Sequence, residues 1–391
     1  MPTETTYDAI VVGAGPAGAR TAEVLARRGL HVAIVEREPE PGAPVHCTGI
    51  VSTECFEHYR LPESLIINPV RSFVLRSPSG RGARVKRKST QAYVLDRPAM
   101  DRLLVERATA AGAEVITSTN VTDIAWTGTG VEAQAKRGGE TFAMSARSAV
   151  IATGFGGKLP RKAGLGSPGD LLSGCQVVAE ARDVDQLEVL TGQAYGDGGF
   201  AWLVPWKPGL ALTGLMTRRG TMDHLGDHVA RLQAEGRIGA VREVYRCRAI
   251  PIGTSSHTVS DGIVGVGDAM GLVKPTSGGG IYFGLLSADL AGPVLADAIE
   301  AGDVSAARLS SYENQWRELL DAEIKQGAAL RGLIEQLPDA LVEQMHRLLG
   351  VPGLRRLLVR AAPSFDWHSG PLTSFLTRLQ RSTDDARARV G

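Results

Sequence analysis

Tyr7-Asp8-Ala9-Ile10-Val11-Val12-Gly13-Ala14-Gly15-Pro16-Ala17-Gly18 is the stretch whose reading decides the fold. Residues 7–12 read as a buried parallel strand, and the glycine turn after them opens a helix that runs to about Arg28, with Gly29 as its stop. His31 to Val35 is a second strand, and it ends at Glu36. Each glycine answers a physical need. Gly13 permits the tight turn, Gly15 lets the backbone approach a pyrophosphate, and Gly18 allows close helix–strand contact, so Gly13, Ala14, Gly15, Pro16, Ala17 and Gly18 together form a phosphate cradle. The helix N-terminus adds unsatisfied N–H groups and a positive partial charge. Glu36 accepts hydrogen bonds from both ribose hydroxyls and disfavours a 2′-phosphate. The stretch therefore predicts a Rossmann-type βαβ unit that binds FAD or NAD; the competing reading is a tight turn with no ligand.

Residues 263–284 decide between the two cofactors. Gly262 to Val266 reads as a buried strand, and Gly267 and Asp268 follow it directly. An aspartate there is suited to a chain of hydroxyls such as a flavin's ribityl group. Pro275 to Gly280 then forms a turn of small residues against which a flat ring can lie, with Gly279, Gly280 and Ile281 opening another helix. That helix N-terminus stabilises negative charge at the N1–C2=O edge of a reduced flavin. FAD is the expected cofactor.

Composition agrees with an enzyme of ordinary globular type, 391 residues long and 43% hydrophobic. Lys plus Arg number 43 and Asp plus Glu 42, without the basic surplus that a nucleic-acid binder needs. The four cysteines, Cys47, Cys55, Cys175 and Cys247, lack metal-ligand spacing. No metal site, disulfide framework or secretory leader is expected, and the compartment is read as reducing and cytoplasmic. The fold class is α/β. Residues 1–156 form the first part of an FAD-binding domain with small inserted strands, and 157–260 form an inserted, mainly antiparallel β substrate domain. Residues 261–300 return to the FAD domain and 301–391 are a helical C-terminal region. Leu95 to Ala111 is a helix, and Glu140 to Ile151 is expected to hold two strands.

The Gly13–Gly18 and Gly267-Asp268 pair resembles the p-hydroxybenzoate hydroxylase-like FAD superfamily. Two longer segments, Gly267 to Ile281 and Pro44 to Ser52, are more similar to the geranylgeranyl reductase family, including its archaeal lipid-reducing branch. The resemblance spans residues 7 to about 300. It implies reduction of carbon–carbon double bonds in an isoprenoid chain, and FAD contacts at the glycine loop, Glu36, Cys47, Gly49, Arg97, Val121, Asp268, Gly280 and Ile281. Arg97 is expected to pair with pyrophosphate; its alternative is a solvated surface arginine. The resemblance sets Cys47 beside the flavin. Hydride delivery to an alkene needs a proton for the other carbon, and a thiol keeps its proton at neutral pH, so Cys47 is the candidate donor, or the holder of the water that donates. Its alternative is a small residue packed on the ring, and His46 is a second candidate donor. Phe200-Ala201-Trp202-Leu203-Val204-Pro205 is similar to the family's aromatic substrate motif, with Phe200 where Tyr is usual and Val204 where Phe is usual. Phe200, Trp202 and Pro205 are expected to line the substrate space, together with Tyr282 and Tyr195.

The competing function is a flavin monooxygenase or halogenase acting on an aromatic substrate. Against it, Thr153-Gly154 stands where hydroxylases carry Asp-Gly. No second dinucleotide unit is visible, so NAD(P)H, ferredoxin or another redox carrier protein are all open as external reductants. The expected partner is an isoprenoid lipid or a prenylated small molecule. The basic and apolar stretch from His346 to Arg360 suggests peripheral membrane contact.

Overall fold

The computed structural model describes residues 6–44, 47–351, 353 and 364–369. Thr6–Val12 is the central strand of an eight-stranded sheet and pairs in parallel with Val32–Val35 on one side and Glu140–Ile151 on the other. Glu114–Ile116 and Ile263–Gly265 extend the parallel set outward. All four residues of Val32–Val35 are buried, as a strand covered on both faces requires. The glycine turn therefore leaves the middle strand of the sheet, at its carboxyl edge, where open α/β sheets bind ligands.

Glu140–Ile151 is one strand of 12 residues, not the two expected. Its first half forms an exposed hairpin with Val131–Arg137, and its second half enters the parallel core beside Thr6–Val12. The hydrophobic pattern changes where the environment does, and that change imitates a break.

A second, seven-stranded sheet runs in the order Ile238–Ile252, Asp170–Ala181, Leu210–Thr217, Phe200–Pro205, Leu187–Thr191, Ser72–Arg76, Gly82–Lys86. It is antiparallel except where Leu187–Thr191 meets Ser72–Arg76. Ser72–Arg76 and Gly82–Lys86, read as insertions of the first domain, thus lie on the sheet of the second. A parallel pairing across more than a hundred residues leaves no local sequence signal. Thr221–Ala234 is a helix that sequence reading passed over; it buries Leu225, His228 and Leu232 on the back of this sheet.

Ile281–Ala301 is the one helix among the described residues long and apolar enough to cross a membrane, but it is a core helix. It packs on Pro16–Arg27, and its Asp289 and Asp297 pair with Arg20 at 2.6 Å and Arg28 at 2.9 Å. Ala306–Trp316 pins the strand leading to Asp268: the Tyr312 hydroxyl donates to the Gly265 carbonyl at 2.9 Å, and Trp316 Nε1 to Thr258 Oγ1 at 2.9 Å. Ala322–Glu335 and Asp339–Leu349 continue the helical region. His46 and most of the stretch expected to rest on a membrane lie outside the described residues.

Candidate active site

One cavity of about 1630 Å³ lies between the two sheets, larger than a pocket for a single small ligand. Its first wall is set by glycines. Gly13 has φ +107°, and a Cβ there would stand 2.4 Å from the Ala152 carbonyl oxygen. A Cβ on Gly18 would fall 2.0 Å from the Gly13 oxygen, whereas one on Gly15 would meet nothing within 4 Å. The turn thus requires glycine at 13 and 18 for packing and leaves the backbone at 15 open to a ligand. No side chain caps the helix that starts at Pro16, so its first N–H groups are free for an anion. Glu36 is locked in place, its Oε2 accepting from the Ala14 N–H at 2.8 Å and its Oε1 from the Glu38 N–H at 2.9 Å. Val121 lies on the same wall.

Asp268 reaches the cavity from the opposite end of this wall. Burial raises its carboxyl to about 6, against the pull of the Arg97 charge. A Cβ on Gly280 would lie 2.2 Å from Asp268 Oδ1, so only glycine lets the turn close over the carboxylate. Gly267 does a structural job: its N–H donates to Ser287 Oγ at 3.1 Å, and its Cα side faces Ala17. The helix from Ile281 begins without a side-chain cap, leaving N–H groups at the cavity edge beside Gly279 and Gly280.

Arg97 is not a solvated surface arginine; it lines the cavity. Its Nη2 donates to both Asp101 oxygens at 2.9 Å, and the pair is nearly buried. Burial opposes the Arg97 charge, but Asp101 and the nearby Cys47 sulfur outweigh it and hold the guanidinium above its usual range. Gly49, at φ +77°, carries the Cys47 loop across the Arg97 stem, where a Cβ would meet Arg97 Cγ at 2.8 Å. Its N–H donates to Cys47 Sγ at 3.4 Å. Cys47 is half-buried and lines the cavity.

The second wall is apolar. Phe200 and Trp202 line it, with ring centroids 6.0 Å apart, and Met216 and Ile250 continue it. Three expectations fail here. Pro205 lies beyond the cavity on the same strand. Tyr282 turns away from it; its hydroxyl donates to Glu54 Oε1 at 2.9 Å and its ring packs near Tyr59 and Trp367. Tyr195 is buried behind the sheet against His228. Helix phase explains Tyr282, because the residue after Ile281 points a third of a turn away from the turn that faces the ring site.

Sequence reading missed several residues. Thr48 Oγ1 donates to Gln176 Oε1 at 3.0 Å, tying the Cys47 loop to the second sheet. Lys274 is buried in an ion pair with Asp366 and lies 4.9 Å from the Phe365 ring centroid. Thr276 Oγ1 is 2.8 Å from His368 Nε2. Residues 364–369 therefore close one end of the cavity. A lysine in so glycine-rich a turn was a usable signal; its partner, 92 positions on, was not.

A model of the FAD binding domain family matches residues 6–325. The chain is 33% identical over 355 residues to digeranylgeranylglycerophospholipid reductase 2 of Methanothermobacter thermautotrophicus, covering 88% of this chain and 91% of that one. It is 31% identical over 382 residues to the digeranylgeranylglycerophospholipid reductase of Methanothrix thermoacetophila, covering 92% and 97%. Among solved structures, a geranylgeranyl bacteriochlorophyll reductase-like protein from Thermoplasma acidophilum superposes with a TM-score of 0.83 at 24% identity, covering 90% of this chain and 96% of that one.

Proposed function

The chain belongs to the FAD binding domain family, and we propose that it is an FAD-dependent reductase that saturates carbon–carbon double bonds of a geranylgeranyl-type chain. The observation that carries this reading is the continuity of the cavity. It joins a flavin-type cradle and a thiol to a wall of apolar side chains. Relatives named as reductases of such lipids align over most of the chain.

The residues fit FAD. Backbone N–H groups of the Gly13–Gly18 loop hold the pyrophosphate, Glu36 the ribose, and Asp268 the ribityl hydroxyls, with Val121 and Gly279 to Ile281 closing around the cofactor. When bound, FAD supplies the hydride for one alkene carbon. Cys47 holds the proton for the other carbon at its Sγ, and solvent returns a proton to the sulfur afterwards. Arg97, beside it, stabilises the thiolate left behind. Phe200 and Trp202 orient the chain, and burial of apolar surface there contributes about 25 cal/mol per Å².

A peripheral membrane contact fits the same reading. Leu333, Ile334, Leu341, Leu348 and Val351 are 40% to 54% exposed near the last described helices. Val342, Met345 and Leu349, on the same stretch, line the cavity. A lipid chain could thus pass from bilayer to cavity along one helix. The test is turnover of a geranylgeranyl-bearing glycerophospholipid by the FAD-loaded protein with dithionite as reductant, read by mass spectrometry. A product with one added dihydrogen per double bond supports the reading, and unchanged lipid with every isoprenoid offered contradicts it.

A further inference from the structure

The loop that carries Cys47 is fixed on one side by the Leu95 N–H, which donates to the Gly49 carbonyl at 2.9 Å. On the other side it is held from across the cavity. The Thr48 hydroxyl meets the side-chain amide of Gln176 at 3.0 Å, and Gln176 belongs to Asp170–Ala181 of the second sheet. Gln176 is 97% buried, and both residues line the cavity. With Thr48 donating to Gln176 Oε1, two buried donors are left over. Gln176 Nε2 and Trp202 Nε1 have no hydrogen-bond partner among the described residues. A buried donor without an acceptor is costly, and native interiors hold few of them.

These two donors are neighbours. Gln176, Gly214 and Trp202 stand in one row across three adjoining strands. A Cβ on Gly214 would lie 2.6 Å from Gln176 Cβ and 2.7 Å from Trp202 Cζ2, so both side chains lean over the glycine. Cζ2 sits on the edge of the indole that bears the N–H. A half-turn of the Gln176 amide removes both orphans at once. Oε1 then accepts from Trp202 Nε1, and Nε2 donates to Thr48 Oγ1, because a hydroxyl accepts as readily as it donates. The hydroxyl's own hydrogen is left to the cavity.

We infer that Trp202, Gln176 and Thr48 form one hydrogen-bonded chain, in which Gln176 is a positioning residue that sets Cys47 for proton transfer from the opposite wall. The inference rests on the reductase reading, in which Cys47 Sγ holds the proton and Trp202 orients the isoprenoid. The chain couples these two tasks: the indole against which the isoprenoid packs is also the first link to the loop that carries the thiol.

The test uses three variants. Gln176→Leu keeps the volume and removes both ends of the amide. Gln176→Glu restores them, since a carboxylate accepts from Trp202 and Thr48 alike. Trp202→Phe keeps an apolar ring and removes the N–H. Flavin content and unfolding temperature show that each is folded and loaded. With geranylgeraniol under dithionite, Gln176→Leu should lower kcat about 10- to 100-fold with KM held within about twofold. Gln176→Glu should recover most of that loss. Trp202→Phe should lower kcat about fivefold alone and add nothing in the Gln176→Leu background. A second measurement needs no turnover: iodoacetamide labelling of Cys47, read by peptide mass spectrometry. Labelling should quicken about fivefold in Gln176→Leu and in Trp202→Phe, because the loop opens more often, and return towards the wild-type rate in Gln176→Glu. If no protein reduces the isoprenoid, wild type included, the reductase reading fails while the labelling rates still decide the chain. Should Gln176→Leu fail to load flavin, Trp202→Phe carries the test alone. Labelling at the wild-type rate in both variants overturns the proposal, and so does a Gln176→Glu that behaves as Gln176→Leu does.

Discussion

On the flavin side of the cavity, Gly13, Gly18 and Gly280 each stand where a Cβ would fall 2.0 to 2.4 Å from another atom. On the other side, the apolar residues Phe200, Trp202, Met216 and Ile250 line the space. At 13, 18 and 280 the first wall admits only glycine; at Phe200, Trp202, Met216 and Ile250 the second is a volume that many apolar combinations would fill. The difference teaches where substitution is absolute and where it is graded.

The largest effect should come from Gly18→Ala. Its Cβ has no room, and the contact it strikes is backbone, so the turn must move. We expect protein without flavin and a stability loss of roughly 4 kcal/mol or more, read by flavin absorbance per protein and by thermal unfolding. Gly15→Ala sharpens the point. It meets open space, so it should fold as the wild type does and still lose flavin. If Gly18→Ala kept its flavin, the first wall would be no stricter than the second.

Cys47→Ala should lower the rate of alkene reduction about 100-fold while flavin stays bound, and Cys47→Ser should recover part of it. Equal rates for the three proteins would reduce Cys47 to a packing residue.

Asp268 gives a pH signature. Its carboxyl lies at about 6 in the folded chain, above the usual 3.8, so the folded state binds the extra proton between these values. Stability from this group is therefore fully present below about 4 and lost as pH rises through about 6. The apoprotein should lose roughly 2 kcal/mol between pH 4 and 7 from this group alone, and Asp268→Asn should not. Denaturant unfolding of both apoproteins across that range checks it. The variant should also hold FAD more weakly, because an amide accepts fewer hydrogen bonds from the ribityl chain.

The smallest effect belongs to the second wall. Trp202→Ala should raise KM for the isoprenoid about tenfold with flavin content unchanged, since the space can partly refill from Met216 and Phe200. A variant that lost its flavin would show that the two walls are not separable.

The same contrast explains what could be read from the sequence. Gly13, Gly15, Gly18, Glu36 and Asp268 were legible because each meets a local backbone demand within a few residues of a strand end. Cys47 and Gly49 were reached through a resemblance, and the structure adds why Gly49 is needed, with Arg97 beneath it. Arg97 was expected to face the cofactor's pyrophosphate, and the structure adds its ion pair with Asp101 one helical turn on. Pro205 came with the motif of the resemblance, and Tyr282 was added as a further ring for the same space, whereas orientation along a strand and around a helix decided their direction. Ser72–Arg76 joining Leu187–Thr191, and Lys274 meeting Asp366, are long-range pairings set by tertiary packing, for which no short motif exists.

The most direct test of the account is a single turnover without oxygen. The protein's flavin is reduced with dithionite, excess reductant is removed, and a geranylgeranyl-bearing lipid is added. The account predicts that the flavin reoxidises at the rate at which double bonds disappear, one reoxidation per double bond saturated. It would be contradicted by a flavin that stays reduced before every isoprenoid yet consumes oxygen productively with an aromatic substrate.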